Sequence, residues 1–332
     1  TPQVREFPDH SRWMPDMQPS TVQLLTSTGV GLLKRPLSVA RTLRSVAGGV
    51  LNLGRDLLLA DLQKPREVHI TAPRTRLNVP VEPQRTFAAV RLRLEALRAA
   101  RALVPGATMN DVVLTVCAGA LRIYLQANGE LPEQSLTALV PISVRRSVLE
   151  ANNNRLSAMI VSLATRESDP IERLRAVHGS VRLNKDYAEA IGARTLSDVA
   201  QVVPFTLGIA ASRLYSRMRM ALYHPPLFNL VITNVPGPRR PLYFNGARVL
   251  STLGTAPIID GLGMIIVVTS YLDEISISVT ACPSVLPDVE FFEECLQTSS
   301  AQLAQAVEGQ AMAAPSRPTL RAVPSSTKGG SA

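Results

Sequence analysis

One stretch limits what this chain can fold into more than any other. Between Thr108 and Leu125 the residues Val112, Val113, Val116, Cys117, Ala120, Leu121, Tyr124 and Leu125 recur at i, i+3 and i+4. This is the period of an α-helix with a deeply buried face. Thr108 stands where an N-cap belongs, Asp111 follows three residues on, and Asn128-Gly129 ends the run. Such a helix needs packed elements around it. A chain of 332 residues with 46% apolar content can supply them, and that content excludes a wholly disordered chain.

The flanking segments switch between two periods. Residues 86–93 alternate as a strand, with Phe87, Ala89, Arg91 and Arg93 on one side and Ala88, Val90 and Leu92 on the other. Residues 95–103 read as a short helix. Strands are expected at 136–144 and 156–164, with Asn152-Asn153-Asn154 in the loop between them. Pro170 opens a helix to about residue 190, and 196–220 is helical with a break near Pro204. A strand over 227–234 stops at Val235-Pro236-Gly237-Pro238, and another is expected at 247–253. Residues 264–271 and 275–281 form a hairpin through Leu272-Asp273-Glu274. Asp288 caps a last helix that sets Phe292, Leu296, Leu303 and Val307 on one face. Strands and helices that interleave, with a hairpin among them, predict an α/β fold with a mixed sheet.

The remaining segments read differently. Residues 1–20 are a loop. Residues 21–62 carry leucines and valines at helical spacing among Lys34, Arg35, Arg41, Arg44 and Arg55, cut into short helices by Gly29, Gly31, Pro36 and Gly48-Gly49. Two readings stand: basic amphipathic helices lying on an anionic membrane, or surface helices with solvated arginines. Pro65, Pro73, Pro80 and Pro83 make 63–85 an extended linker, and 311–332 a disordered tail is expected from its Pro, Ser and Gly content. The longest uncharged stretches, 17–33 and 221–238, are broken by proline and glycine, so neither is a membrane span. The first residues are polar rather than signal-like, and Thr1 is not a methionine, which fits a processed product or a piece of a longer protein.

The formal charge of +9 suits an anionic partner or a solubilising arginine-rich surface. Aromatic residues at 4% argue against nucleic acid bound by base stacking. Cys117, Cys282 and Cys295 are too scattered for a disulfide framework or a metal site. His10, His69, His178 and His224 form neither HxxxD nor HExxH; His178 reads as a lone structural histidine and His224 as a turn residue before Pro225-Pro226. No nucleophile elbow, Walker loop or dinucleotide fingerprint occurs, and Asp260-Gly261-Leu262-Gly263 reads as a turn. Two motifs stand out. Capping accounts for Thr108 and Asp111 but not for Asn110, a polar amide beside a buried run that suits a cavity wall. Thr233-Asn234-Val235-Pro236-Gly237-Pro238 is a rigid turn after a strand, either a plain strand end or a device that holds a loop against a ligand or domain interface.

Ala107-Thr108-Met109-Asn110-Asp111-Val112-Val113-Leu114 with Leu121-Arg122-Ile123-Tyr124-Leu125 resembles the ND motif region of bacterial wax ester synthase/diacylglycerol acyltransferases. So do Leu139-Val140-Pro141-Ile142-Ser143-Val144-Arg145, Asn234-Val235-Pro236-Gly237-Pro238, Gly246-Ala247-Arg248-Val249 and Ser270-Tyr271. Trp13-Met14-Pro15 and Gln18-Pro19-Ser20 match the segment that follows that family's HHxxxDG motif. HHxxxDG itself is absent from the chain.

The resemblance implies a CoA-dependent acyltransferase-like fold of two α/β domains with mixed sheets and a tunnel between them. Residues 1–75 would be the end of the first domain and a crossover, and 76–310 the second domain. It implies an O-acyltransferase that moves a fatty acyl group from acyl-CoA, a co-substrate, to diacylglycerol or a long-chain alcohol. The general-base histidine would lie on an N-terminal part of the same enzyme, upstream of Thr1, and no bound cofactor or metal is needed. Asn110, Asp111, Asn234, Pro236, Gly237, Ser270 and Tyr271 become the candidate residues, lining the tunnel or shaping it. The implied partners are acyl-CoA, the acceptor lipid and a membrane surface or lipid droplet, with no nucleic acid, and the implied location is cytoplasmic, peripheral on the inner membrane or lipid droplets. The competing expectation is a non-catalytic lipid-binding or scaffold protein that keeps the fold.

Overall fold

The computed structural model describes residues 72–143, 156–191 and 205–313. The expectations for 1–71, including the basic leucine-rich stretch 21–62, and for 314–332 lie outside the described residues. The chain divides into two compact units, Thr1–Pro65 with Arg194–Met218 and Arg66–Ala193 with Arg219–Ala332. In the first, the described structure is the helix α4 (Phe205–Arg217). Everything below concerns the second.

Its centre is a six-stranded sheet. In chain order the strands are β1 (Thr86–Arg93), β2 (Thr137–Ser143), β3 (Leu156–Ser162), β4 (Leu230–Val235), β7 (Met264–Tyr271) and β8 (Glu274–Ala281). A separate two-stranded ribbon holds β5 (Tyr243–Phe244) and β6 (Ala247–Arg248). The spatial order is β1-β8-β7-β4-β2-β3. The β1/β8, β7/β8 and β2/β3 pairs are antiparallel, while β2/β4 and β4/β7 are parallel, so the sheet is mixed as expected. The helices are α1 (Leu94–Ala102), α2 (Met109–Ala127), α3 (Pro170–Ile191) and α5 (Val289–Ala313).

Register explains which face of the sheet is covered. Ala88, Val279, Ile266 and Ile232 stand in one cross-strand row, and Val90, Ile277, Val268 and Asn234 in another. The apolar members of both rows belong to one buried core shared with α1, α2, α3 and α5. Because side chains alternate along a strand, this assigns Asn234 to the same helix-facing side as Leu230 and Ile232.

Helix α2 runs through the middle of the helix layer and touches α1, α3 and α5. Every residue from Asp111 to Leu121 is buried, which is why the apolar positions wrap so much of its circumference. It ends in a Schellman motif: Glu130 N–H reaches Leu125 O at 2.8 Å, Gly129 N–H reaches Gln126 O at 3.0 Å, and Gly129 takes φ +67. Gly119 lets α5 approach, because a Cβ there would run into Ser299 Oγ and Arg173 Nη1. Ser299 Oγ in turn donates to Val116 O at 2.9 Å. The expected Asp288 cap is present, accepting from Phe291 N–H at 2.9 Å, but α5 runs on to Ala313, so 311–313, expected in the tail, are helical.

Two expectations are corrected. The strand at 247–253 is only Ala247–Arg248, paired to Tyr243–Phe244; beyond it the chain leaves the ladder and crosses the other face of the sheet. There Thr252 O accepts from Thr269 Oγ1 at 2.7 Å and Thr255 Oγ1 meets Thr280 Oγ1 at 3.0 Å, which explains hydroxyl side chains on that face of β7 and β8. Residues 72–85 turn at 76–79, where Asn78 N–H donates to Thr75 O at 3.0 Å, and do not behave as a free extended linker. Leu77 is wholly buried, and Asn78 Nδ2 donates to Phe228 O, Asn229 O and Gly261 O at 3.2, 3.4 and 3.0 Å. Asn229 answers with Nδ2 to Asn78 Oδ1 at 2.9 Å and Oδ1 from Thr137 N–H at 2.9 Å. Arg76 clamps Glu130 with Nε at 2.5 Å and Nη2 at 2.6 Å. The Asp260-Gly261 turn serves the same docking, since Gly261 N–H donates to Val79 O and Asp260 Oδ1 accepts from Val81 N–H. Asn78→Ala removes an amide whose two N–H groups serve the Phe228, Asn229 and Gly261 carbonyls and whose oxygen accepts from Asn229, so a loss of about 2 kcal/mol of stability is expected in chemical denaturation. No described helix is long and apolar enough to cross a membrane.

Candidate functional site

The start of α2 is built as its sequence suggests. Thr108 is extended and its Oγ1 accepts from Asp111 N–H at 3.3 Å; Asp111 Oδ2 accepts from Thr108 N–H at 2.8 Å. This reciprocal pair satisfies two orphan donors and puts a carboxylate at the positive helix end. It leaves the Asn110 side chain uncommitted to the cap.

Asn110 is committed elsewhere. Asn234 Nδ2 donates to Asn110 Oδ1 at 3.2 Å, across 124 residues of chain. Asn234 continues the helix-facing row of β4, so the strand's last inward side chain meets the first turn of α2. Both amides are half-buried rather than sealed in the core. Their bond uses one Asn234 donor and the Asn110 oxygen, and leaves the Asn110 N–H groups and the Asn234 oxygen for other partners.

The other candidates gather one step further along the chain. Gly237 N–H donates to Ser270 Oγ at 3.0 Å, and a Cβ at Gly237 would collide with the Ser270 carbonyl oxygen. Leu272 N–H donates to Pro238 O at 3.2 Å. Buried Tyr271 donates its hydroxyl to Val249 O and accepts from Leu242 N–H, both at 2.9 Å. Gly237, Ser270 and Tyr271 thus fix the Pro-Gly-Pro turn to the end of β7 and hold the base of the β5–β6 ribbon. Pro236, exposed, joins this turn to the amide pair.

Sequence reasoning missed His178. It is not a lone histidine: its Nδ1 lies 2.9 Å from Asp111 Oδ2, from 67 residues away. Asp111 is therefore both helix cap and anchor for α3, while its Oδ1 is buried with no hydrogen-bond partner. No local spacing could show this, because the two residues share neither an element nor a turn. Asp111→Ala removes the cap and leaves His178 without its carboxylate, so about 2–3 kcal/mol of lost stability is expected, seen as a lower melting temperature. Asp111→Asn, which keeps an acceptor, should recover part of it.

A second unforeseen residue supports α2 from behind. Arg173, among the largest fully buried side chains, donates through Nε and Nη2 to Glu167 O at 3.1 and 2.7 Å and through Nη2 to Ser168 O at 3.1 Å. Burial, with the neighbouring Arg122 charge second, lowers its pKa to about 10, which leaves it a cation at neutral pH. Among the described residues no group of three or more His, Cys, Asp or Glu is placed to hold a metal ion.

A helix layer on one face of a mixed sheet, with two amides joined where a strand end meets a helix start, makes this an α/β domain, and its likeness to a solved structure gives the class, the CoA-dependent acyltransferase-like fold. A solved structure shares it, the wax ester synthase/diacylglycerol acyltransferase from Marinobacter aquaeolei VT8, with TM-score 0.57 and 28% identity over 78% of this chain and 57% of that one. Two family models narrow the class. The wax ester synthase/diacylglycerol acyltransferase catalytic domain matches residues 2–113, and the WS/DGAT C-terminal domain matches 153–304. The chain belongs to the wax ester synthase/diacylglycerol acyltransferase family. It is 36% identical over 268 residues to a Mycobacterium tuberculosis H37Rv protein named "Putative diacyglycerol O-acyltransferase", covering 80% of this chain and 58% of that protein. It is 37% identical over 222 residues to the O-acyltransferase WSD of Acinetobacter baylyi, covering 66% of this chain and 46% of that one. The chain thus spans about half the length of these relatives.

Proposed function

We propose that this chain is the part of an acyl-CoA-dependent O-acyltransferase that carries the Asn110–Asn234 pair, in an enzyme that transfers a fatty acyl group to diacylglycerol or a long-chain alcohol. The observation that supports this most is the 3.2 Å bond between two amides from separate family-like motifs. Helix capping and turn formation do not require either amide, yet the fold brings them together at a half-buried position. In this reading a neutral histidine of an HHxxxDG motif, which is not among these 332 residues, takes the proton of the acceptor hydroxyl. The alkoxide attacks the thioester carbonyl, the C–S bond breaks, and the CoA thiolate leaves with the proton. In the same reading the Asn110 N–H groups, which the bond to Asn234 leaves unused, orient the acceptor hydroxyl or the histidine's loop. The acceptor and the ester product are long-chain lipids, while CoA leaves into water, so this reading assigns the reaction to a membrane surface or lipid droplet.

The chain alone is expected to be inactive, since loss of a general base costs about 10²–10⁴-fold. Residues 1–332 are incubated with palmitoyl-CoA and dipalmitoylglycerol or hexadecanol, and free thiol is followed. Thiol release at the background rate is expected. Turnover at the rate of an intact acyltransferase would show that the base lies within this chain and overturn the division of roles.

A further inference from the structure

We propose that the ribbon β5–β6 and its flanks dock this protein on an anionic lipid surface. The inference rests on the reading that the protein works at such a surface, but not on acyl transfer itself.

The ribbon is unlike the rest of the domain. Phe244 is 79% exposed, Tyr243 67% and Leu250 75%, and Leu242, Leu253 and Ile259 are exposed beside them. Buried aromatic residues elsewhere in the domain, such as Tyr124 and Phe292, pack against each other at 5.5 Å between centroids. Tyr243 and Phe244 instead stand at a tip. The tip is a tight turn with Asn245 at φ +47 and Gly246 at φ +82, the geometry of a two-residue primed hairpin. Tyr243 faces Arg248 across the ribbon and Phe244 faces Ala247, so the two aromatic rings project from opposite faces of its end. Insertion edge-on would bring both to the same depth.

A two-stranded ribbon this short does not hold itself together. Here the domain holds it. Val249 N–H donates to Leu242 O at 2.9 Å, the Tyr271 hydroxyl bridges Val249 O and Leu242 N–H, and the Gly237–Ser270 contact fixes the incoming strand. A buried tyrosine and a glycine that cannot gain a Cβ are thereby used to present an exposed apolar tip in one orientation.

Charge identifies the partner. Arg248 is exposed beside Tyr243, Arg239 and Arg240 are exposed on the segment that leads into the ribbon, and from Pro236 to Ile259 no acidic residue occurs. Tyr, Phe and Leu flanked by arginine match the lipid interface, where aromatic rings sit at headgroup level and cations gain from anionic headgroups.

The test uses the whole 332-residue chain with Trp13→Phe, which removes its one tryptophan, and Tyr243→Trp, which places a reporter on the ribbon. Vesicles of phosphatidylcholine, with and without phosphatidylglycerol, are added at low and high salt. Expected are water-exposed emission without vesicles, and a blue shift with quenching by brominated lipid only when phosphatidylglycerol is present, weakened by salt. In the otherwise native chain, Phe244→Ser with Arg239→Gln and Arg240→Gln should lower partition onto anionic vesicles about 10-fold or more. Its melting temperature should stay unchanged, since these side chains are exposed. Wild-type chain that binds no vesicle would overturn the lipid-surface reading as a whole. Binding that the triple variant leaves unchanged would overturn the ribbon alone and leave 21–62 as the contact. Emission already blue-shifted without vesicles, or a dimer that the variant abolishes, would show polypeptide covering the tip and overturn the proposal.

Discussion

Asn110→Ala, in an enzyme that carries HHxxxDG ahead of these residues, is expected to lose acyl-CoA turnover by about 100-fold or more. Its stability should fall by about 1 kcal/mol or less, because the bond it loses is half-buried and neutral. The Thr108–Asp111 cap does not involve the Asn110 side chain, so α2 keeps its start. Asn234→Ala should match it in both respects. The hydrogen bond adds a sharper expectation: the two substitutions should be strongly non-additive, the double variant being scarcely slower than either single one. Turnover and thermal unfolding measured on the three variants decide this. Full activity in both single variants would reduce the motifs to capping and turn chemistry.

Gly237→Ala should give the largest stability loss of any methyl-sized change in the turn. The added Cβ meets a backbone carbonyl, Ser270 O, which no rotamer change can move aside. Either the Pro-Gly-Pro turn lifts off β7 or β7 shifts within the sheet, and about 3 kcal/mol of lost stability is expected. The damage should reach the ribbon, since Gly237 N–H also anchors to Ser270 Oγ. Ser270→Ala is the control: it loses that bond without a clash and should cost only about 1 kcal/mol. Urea unfolding distinguishes the two. Equal losses would show that the hydrogen bond, rather than the close approach, fixes the turn.

The elements with a clean local period were legible in the sequence. β1 shows alternation, β7 and β8 are runs rich in β-branched residues around a tight turn, and α2 has its capping box and closing Asn-Gly, so local chemistry and tertiary packing agree there. The 247–253 segment differs from the expected strand because only Ala247–Arg248 pair in a ladder, and further on Thr252 O meets Thr269 Oγ1 on the face of the sheet. Residues 72–85 were misread because proline signals an extended chain without saying whether that chain docks. What docks it is Asn78, whose partners at 228, 229 and 261 are distant in sequence. At the site, Asn110 and Asn234 could each be singled out as polar side chains that local chemistry does not explain. Their bond could not be read, nor could the contact of His178 with Asp111, because both depend on how strand order places β4 and α3 beside the start of α2.

The most direct test restores what the sequence lacks. Residues 1–332 are joined to a preceding segment carrying HHxxxDG, and palmitoyl-CoA turnover is measured with diacylglycerol or a long-chain alcohol beside the same protein with the second histidine of the motif changed to alanine. The account predicts acceptor-dependent thiol release that the histidine variant abolishes and that Asn110→Ala lowers about 100-fold. A correctly folded joined protein that releases no thiol with either acceptor would contradict it, and would leave a lipid-binding protein that keeps the acyltransferase fold.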